Sequence, residues 1–141
     1  VRQCQVKNPG AVVSKGVSRN TWALGGRFLR QEFRGYFLGM PMDGLGMTGY
    51  DNLKQLYTMF WIDNSSTAMS TAAGSFDAAG TVLTMTGKSD DPMTGEKDKT
   101  VKYILRTVDK DRFVFEMHDV PSKGASVKIG EIAYARAKDH Q

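Results

Sequence analysis

Cysteine is almost missing from this sequence, since Cys4 is the single one among 141 residues. One thiol can form neither an internal disulfide nor a multi-cysteine zinc site. A chain of this length buries roughly two-thirds of the surface that its unfolded form exposes, so it builds a core without such cross-links. The sequence therefore predicts one globular domain over residues 1–141, and the scarcity of cysteine favours the cytoplasm over an oxidising compartment.

Long hydrophobic runs are missing as well. No apolar stretch approaches the ~18 residues of a membrane-spanning helix, and the longest ones, around residues 56–62 and 129–135, are interrupted by polar residues. Lysine and arginine number 19 against 15 aspartate and glutamate residues, and this excess is scattered along the chain. We therefore expect neither a membrane span nor a nucleic-acid partner.

Helix signals are scarce, whereas strand and turn signals fill the sequence. Fifteen glycines recur between runs that are rich in Val, Ile, Thr and aromatic residues, which is the composition of strands with turns between them. The pattern predicts ten strands: Val1–Val6, Val12–Trp22, Arg27–Phe37, Met42–Asp51, Lys54–Asp63, Thr67–Phe76, Thr81–Ser89, Thr100–Val108, Arg112–Val120 and Ser126–Arg136.

The connections between these strands are short and have the chemistry of tight turns. Asp77-Ala-Ala-Gly80 and Pro121-Ser-Lys-Gly124 are examples, and such links join antiparallel neighbours. A meander of many strands removes its exposed edges by closing into a barrel. We therefore predict an all-β fold, an antiparallel up-and-down (meander) β-barrel of about ten strands, with a two-sheet sandwich as the alternative that the same pattern allows.

Charged residues stand in the middle of several apolar strands, at Arg30, Glu32, Arg106 and Glu116. A charge that is buried must be paired or hydrogen-bonded. If Arg30 and Arg106 face the lumen, their guanidinium groups form an anchor for a carboxylate or phosphate head group. If they face water, they are solubilising charges without a functional role.

Aromatic residues on the same strands provide an apolar lining for such a ligand. Trp61 is either a wall of the pocket or part of the core, and the core is favoured. Trp61 and Asp63 lie two residues apart, so their side chains share one face of the strand. The predicted ligand-binding residues are Arg30, Tyr57, Trp61, Arg106, Phe115 and His118.

His118 is the one histidine within a predicted strand. A histidine can ligate haem iron or act as a general base, but the only other histidine, His140, lies in the tail. Asp51 beside Tyr50 offers a second acid/base pair, although capping of a turn by Asp51 is the favoured interpretation. The sequence therefore predicts no metal site, no cofactor and no catalytic residue.

One glycine motif has the spacing of a dinucleotide-binding loop. Gly44-Leu-Gly46-Met-Thr-Gly49 matches that fingerprint, but the fingerprint works only before a helix whose N-terminus binds the pyrophosphate. No helix is predicted after it. We interpret these glycines as backbone freedom in a strand or turn.

An ordered series of short motifs resembles an uncharacterised bacterial family, domain of unknown function 1579. The motifs are Gly25-Gly-Arg27, Gly39-Met-Pro-Met-Asp-Gly44, Gly49-Tyr-Asp-Asn52, Trp61-Ile-Asp63, Phe76-Asp77, Asp91-Pro-Met-Thr-Gly95 and Tyr134-Ala-Arg136. The resemblance covers roughly residues 16–136 and implies a lipocalin-like (calycin-like) barrel without an established activity.

The same resemblance implies two N-terminal elements that we do not expect in this chain. Members of the family usually begin with a short helix and a strand carrying Gly-x-Trp, and we expect both to be absent here. The barrel is then expected to have an open seam. In lipocalin-like barrels a terminal arginine packs across that tryptophan, so we expect the guanidinium of Arg136 to be exposed instead.

The function expected from these observations is binding of a small apolar, amphipathic or anionic ligand in the barrel lumen. One alternative is an enzyme with Asp51, Tyr50 or His118 as acid/base groups at the barrel mouth. Another is a haem-binding barrel. The sequence leaves the oligomeric state open, a homo-oligomer included.

Overall fold

A computed structural model of the chain describes residues 2–7 and 13–138, which form ten strands and no helix. The strands are β1 (Arg2–Lys7), β2 (Val13–Ala23), β3 (Phe28–Phe37), β4 (Met40–Asp51), β5 (Leu56–Asp63), β6 (Ser70–Phe76), β7 (Val82–Ser89), β8 (Lys99–Thr107), β9 (Arg112–Asp119) and β10 (Val127–Arg136). Each strand pairs antiparallel with its neighbours in sequence, and β1 also pairs with β10 to close a barrel. The predicted all-β up-and-down barrel is confirmed.

We expected an open seam in the barrel wall. Among the described residues there is none, because β1 lies between β2 and β10 and pairs with both. Arg2 lies opposite Ser18 of β2 and opposite Arg136 of β10. The guanidinium of Arg2 lies 5.0 Å from the ring centre of Phe113, while Arg136 pairs with Asp111 at 2.9 Å and is mostly exposed. The exposed Arg136 guanidinium that we expected is therefore present.

Turn chemistry forms the hairpins where the sequence predicts them. Asp77 Oδ1 accepts hydrogen bonds from the amides of Thr81 and Val82, and Gly80 has a φ of 70°, which a glycine adopts without strain. These backbone hydrogen bonds lower the pKa of Asp77 below its usual value.

No helix within the described ranges has the length and hydrophobicity for crossing a membrane.

Strand alternation divides the barrel wall into an inner and an outer face. Register pairs connect the inner face around the wall, for example Ser18 with Phe33 and Met85 with Tyr103. Nearly all the buried side chains lie on this face: Ser18, Phe33, Ala72, Leu83, Met85, Val101 and Tyr134. The barrel interior therefore contains the core.

Candidate functional site

The structure divides the six predicted ligand-binding residues between the two faces of the barrel. The register puts Tyr57, Trp61 and Phe115 on the inner face. It puts Arg30, Arg106 and His118 on the outer face, opposite Met47, Val114 and Lys102. These six residues are therefore not brought together in one site.

Arg30 and Arg106 do not form a polar anchor in the interior. Arg30 pairs with Glu32 on the outer wall at 3.0 Å, and both side chains are about half exposed. Arg106 pairs with Glu116, also on the outer wall, at 3.5 Å. The physical reason is the strand period: Gln31 and Phe33 face inward, so the residues between them and beside them face outward.

His118 also lies on the outer wall, where its side chain forms a hydrogen bond with Glu116. Its Nε2 lies 2.9 Å from Oε2 of Glu116, and both side chains are mostly buried. A carboxylate can only accept here, so Nε2 donates. This hydrogen bond is the main reason that the pKa of Glu116 lies below its usual value. Because its ring is outside the interior, His118 cannot ligate a haem bound there.

We expect the His118→Ala variant to raise the pKa of Glu116 and to destabilise the fold by about 1–2 kcal/mol at neutral pH. Because the folded pKa of Glu116 lies below 4.5, its stabilising effect is present above that pH and disappears as the pH falls through the folded pKa. Urea unfolding at several pH values measures the effect. His118→Gln keeps a donor and should restore most of the stability, and equal unfolding free energies for Ala and parent would contradict the assignment.

Trp61 lies flat against the inside of β4, over two glycines of the Gly44–Gly49 motif. A Cβ at Gly44 would lie 2.1 Å from Cζ2 of Trp61, and one at Gly46 would lie 2.9 Å from Cε3. Trp61 Nε1 donates to Asp63 Oδ2 at 2.7 Å, so the two residues share a face as predicted. The glycines lie within a strand and make room for the indole. Gly44 and Gly46 therefore allow Trp61 to pack against β4, and the motif is not a phosphate-binding loop.

Aromatic rings continue from Trp61 around the interior. Tyr103 and Phe115 stack with ring centres 5.5 Å apart, and Phe113 and Tyr134 stack at 4.5 Å. The first stack joins two groups of core residues, one around Phe33 and Tyr134 and one around Leu83 and Met85. The rings form a continuous aromatic strip on the inner wall, which is interrupted near Tyr134 by a polar group: Gln31 Nε2 donates to Ser18 Oγ at 3.0 Å and to the hydroxyl of Tyr134 at 3.3 Å.

Several aromatic rings of the inner wall are partly accessible to solvent. Trp61, Tyr57, Tyr103, Phe113 and Phe115 face inward, yet all are only partly buried. These five rings are therefore in partial contact with solvent.

One end of the interior is polar. Lys99 Nζ pairs with Asp119 Oδ2 at 3.1 Å and with Asp91 Oδ2 at 3.4 Å. The hydrogen bond to Asp119 is the largest of the effects that raise the pKa of Lys99. Next to this pair, Ser70 Oγ and Ser89 Oγ are 2.9 Å apart. We call Ser70, Ser89, Asp91, Lys99 and Asp119 the polar end.

Two further polar groups at or beside the polar end are affected by burial. Burial raises the pKa of Tyr103, opposed by a hydrogen bond with Ser70. Asp119 Oδ1 is buried and has no hydrogen-bond partner among the described residues. An unpaired buried carboxylate oxygen is costly. It is the acceptor of the polar end that lacks a donor among the described residues.

Lys99 and Asp119 were not among the predicted site residues, although a signal for them exists. Lys99, Val101, Tyr103 and Leu105 alternate with Thr100, Lys102, Ile104 and Arg106, three of which are polar, and this indicates that Lys99 shares the inward face. Asp119 similarly follows Phe113, Phe115 and Met117 at steps of two. Lys99 lies two residues before the first apolar residue of one series, and Asp119 lies two residues after the last apolar residue of the other. Both charges can therefore be assigned to the inward face from the sequence.

Asp51 and Tyr50, the acid/base pair considered from the sequence, have structural roles. Asp51 Oδ1 accepts hydrogen bonds from the amides of Leu53 and Lys54, so it caps the turn as favoured from the sequence. Tyr50 packs edge-on against Tyr57 at 4.9 Å. Among the described residues, no group of three or more His, Cys, Asp or Glu side chains is arranged to hold a metal ion.

Comparison with known families adds one finding. The family described as "Protein of unknown function (DUF1579)" matches residues 3–136, which is nearly the whole chain. No curated protein matches the chain. The match agrees with the motifs from which the resemblance was identified.

Proposed function

The chain belongs to the DUF1579 family of proteins of unknown function, and we propose that it binds a small, mainly apolar molecule inside the barrel. The observation that carries this proposal is the partial exposure of Trp61, Tyr57, Tyr103 and Phe115, which all face inward. In a filled core such rings would be buried. Water against them is readily displaced by an apolar ligand, which makes binding favourable.

The polar end supports a preference for an amphipathic ligand. Its apolar part would contact the rings, while its polar group would meet Asp119 Oδ1, which has no donor among the described residues. Lys99 already pairs with two carboxylates, so the polar end has no cation left for an anionic head group. A hydroxyl or amine therefore fits this end better than the carboxylate or phosphate that the sequence suggested.

Titration with N-phenyl-1-naphthylamine, a neutral apolar dye with one N–H donor, tests the proposal. The Trp22→Phe background leaves Trp61 as the only tryptophan. We expect saturable dye binding, an increase in dye emission, and quenching of Trp61 by energy transfer to the bound dye. Absence of saturable binding up to the solubility limit of the dye would contradict the proposal.

Two adjacent alanines of β6 provide a matched control for the location of the dye. Ala72 faces inward and packs with Met59 and Met85, while Ala73 faces outward. Ala72→Phe should fill interior space and weaken dye binding by about tenfold or more, since the lost contact is worth at least about 1.4 kcal/mol. Ala73→Phe should leave binding unchanged. Equal affinities in two variants with parental circular dichroism spectra would mean that the dye binds elsewhere.

A further inference from the structure

Four large apolar side chains at one corner of the barrel are exposed to solvent. Leu53 is 93% exposed, Trp22 73%, Leu24 72% and Tyr50 49%. Contiguous exposed apolar residues on a protein surface mark sites of interaction. We call the surface formed by these four residues the leucine corner.

The leucine corner is one surface because two turns emerge there side by side. The turn between β2 and β3 spans residues 24–27, and the turn between β4 and β5 spans residues 52–55. β3 and β4 are paired, with Phe28 opposite Gly49. Both turns therefore project from the same end of the barrel, next to each other.

Two basic side chains flank the leucine corner. Arg27 and Lys54 are exposed, and neither has an ion-pair partner in the described ranges. The nearest carboxylates, Asp51 and Asp77, accept hydrogen bonds from backbone amides of their own turns. The leucine corner thus combines exposed apolar side chains with two cations that have no carboxylate partner among the described residues.

We propose that the leucine corner docks on an anionic phospholipid surface. Leu24, Leu53 and Trp22 would enter the boundary between head groups and acyl chains, as apolar side chains of interfacial proteins do. Arg27 and Lys54 would lie at the level of the lipid phosphates, where basic residues are attracted by the negative surface potential. The protein lies on this surface and does not span it.

Charge argues for a lipid surface over a second copy of the chain. In a symmetric dimer through the leucine corner, Arg27 and Lys54 would face their own copies, and unpaired like charges brought together repel each other. An anionic bilayer supplies the opposite charge over the whole contact. The proposal does not depend on ligand binding in the interior.

Co-sedimentation with vesicles tests the proposal. We expect the protein to bind vesicles of phosphatidylcholine mixed with phosphatidylserine at least about tenfold more tightly than vesicles of phosphatidylcholine alone, with binding weakened by added salt. Trp22 emission should shift to shorter wavelength and be quenched by lipids brominated in their acyl chains. Both changes should be lost in Trp22→Phe.

Matched variants identify the surface responsible. Leu24→Ser combined with Leu53→Ser should lower vesicle binding at least about tenfold, and Arg27→Gln with Lys54→Gln should abolish the preference for anionic lipid. The control is Leu38→Ser with Met93→Ser at the opposite end, where Leu38 is also exposed with a φ of 50°. Binding that is equal in all variants, absent in the parent, or replaced by a dimer that the leucine variants dissociate would overturn the proposal.

Discussion

Gly74→Ala is expected to lower the free energy of unfolding by about 3 kcal/mol, near the upper end of the usual effect of overpacking. A Cβ at Gly74 would lie 1.8 Å from the backbone oxygen of Thr84 on β7. A backbone atom within a hydrogen-bonded ladder cannot rotate away as a side chain can. The two strands must therefore separate locally and lose hydrogen bonds. Urea unfolding followed by circular dichroism measures the loss.

Gly49→Ala on β4 is the matched control for this prediction. Its Cβ would meet Cδ1 of Phe28 at 2.5 Å, but that ring lies on the outer wall and is only partly buried. Phe28 can move toward solvent, so a loss below about 1.5 kcal/mol is expected. If Gly74→Ala is no more destabilised than Gly49→Ala, the close approach of β6 and β7 does not exist as described.

The architecture could be predicted from sequence because turn chemistry is local. The predicted strand Thr81–Ser89 and the observed strand Val82–Ser89 differ by one residue at one end, since the Asp77–Gly80 turn fixes where the strand begins. Closure of the barrel was harder to predict. It depends on pairing between Arg2 and Arg136, and a contact across nearly the whole chain leaves no local pattern.

The inner and outer faces could be predicted only where the strands alternate. Strand β5 is apolar at nearly every position, and its residues are all partly buried, so its sequence does not indicate which face is inward. In β3 the charged residues alternate with Gln31 and Phe33, which face inward. Arginines on the outer wall can lay their apolar stems over it while their charges stay in water. The position of these arginines between apolar residues therefore did not show that their side chains point into the lumen.

The polar end could not be predicted as a unit because its members come from strand ends and a loop. Asp91 lies in loop 90–98, whereas Lys99 begins β8 and Asp119 ends β9. Strand ends and turns are rich in charged residues for reasons unrelated to binding. Only the barrel geometry brings these three charges to one end of an apolar interior.

Asp119→Asn is expected to remove the preference of the interior for a ligand with a donor group. The parent should bind 2-naphthol about 10 to 100 times more tightly than 2-methylnaphthalene, because a hydrogen bond to a charged acceptor is worth about 1.5–3 kcal/mol. The two compounds have nearly the same shape, so their difference reports the hydroxyl. In Asp119→Asn the ratio should fall by about tenfold, with 2-methylnaphthalene affected little. Isothermal titration calorimetry measures both affinities.

The negative charge of Asp119 also leads to a prediction for an anionic ligand, 2-naphthoate. The parent should bind 2-naphthoate poorly, because its carboxylate would approach Asp119 while Lys99 is already paired with Asp119 and Asp91. Asp119→Asn removes one negative charge and should therefore strengthen 2-naphthoate binding while it weakens 2-naphthol binding. Asp43→Asn, on the exposed outer wall, should change neither. If Asp119→Asn shifts all three naphthalenes equally, the head group of the ligand does not contact Asp119, and only the apolar part of the proposed site would stand.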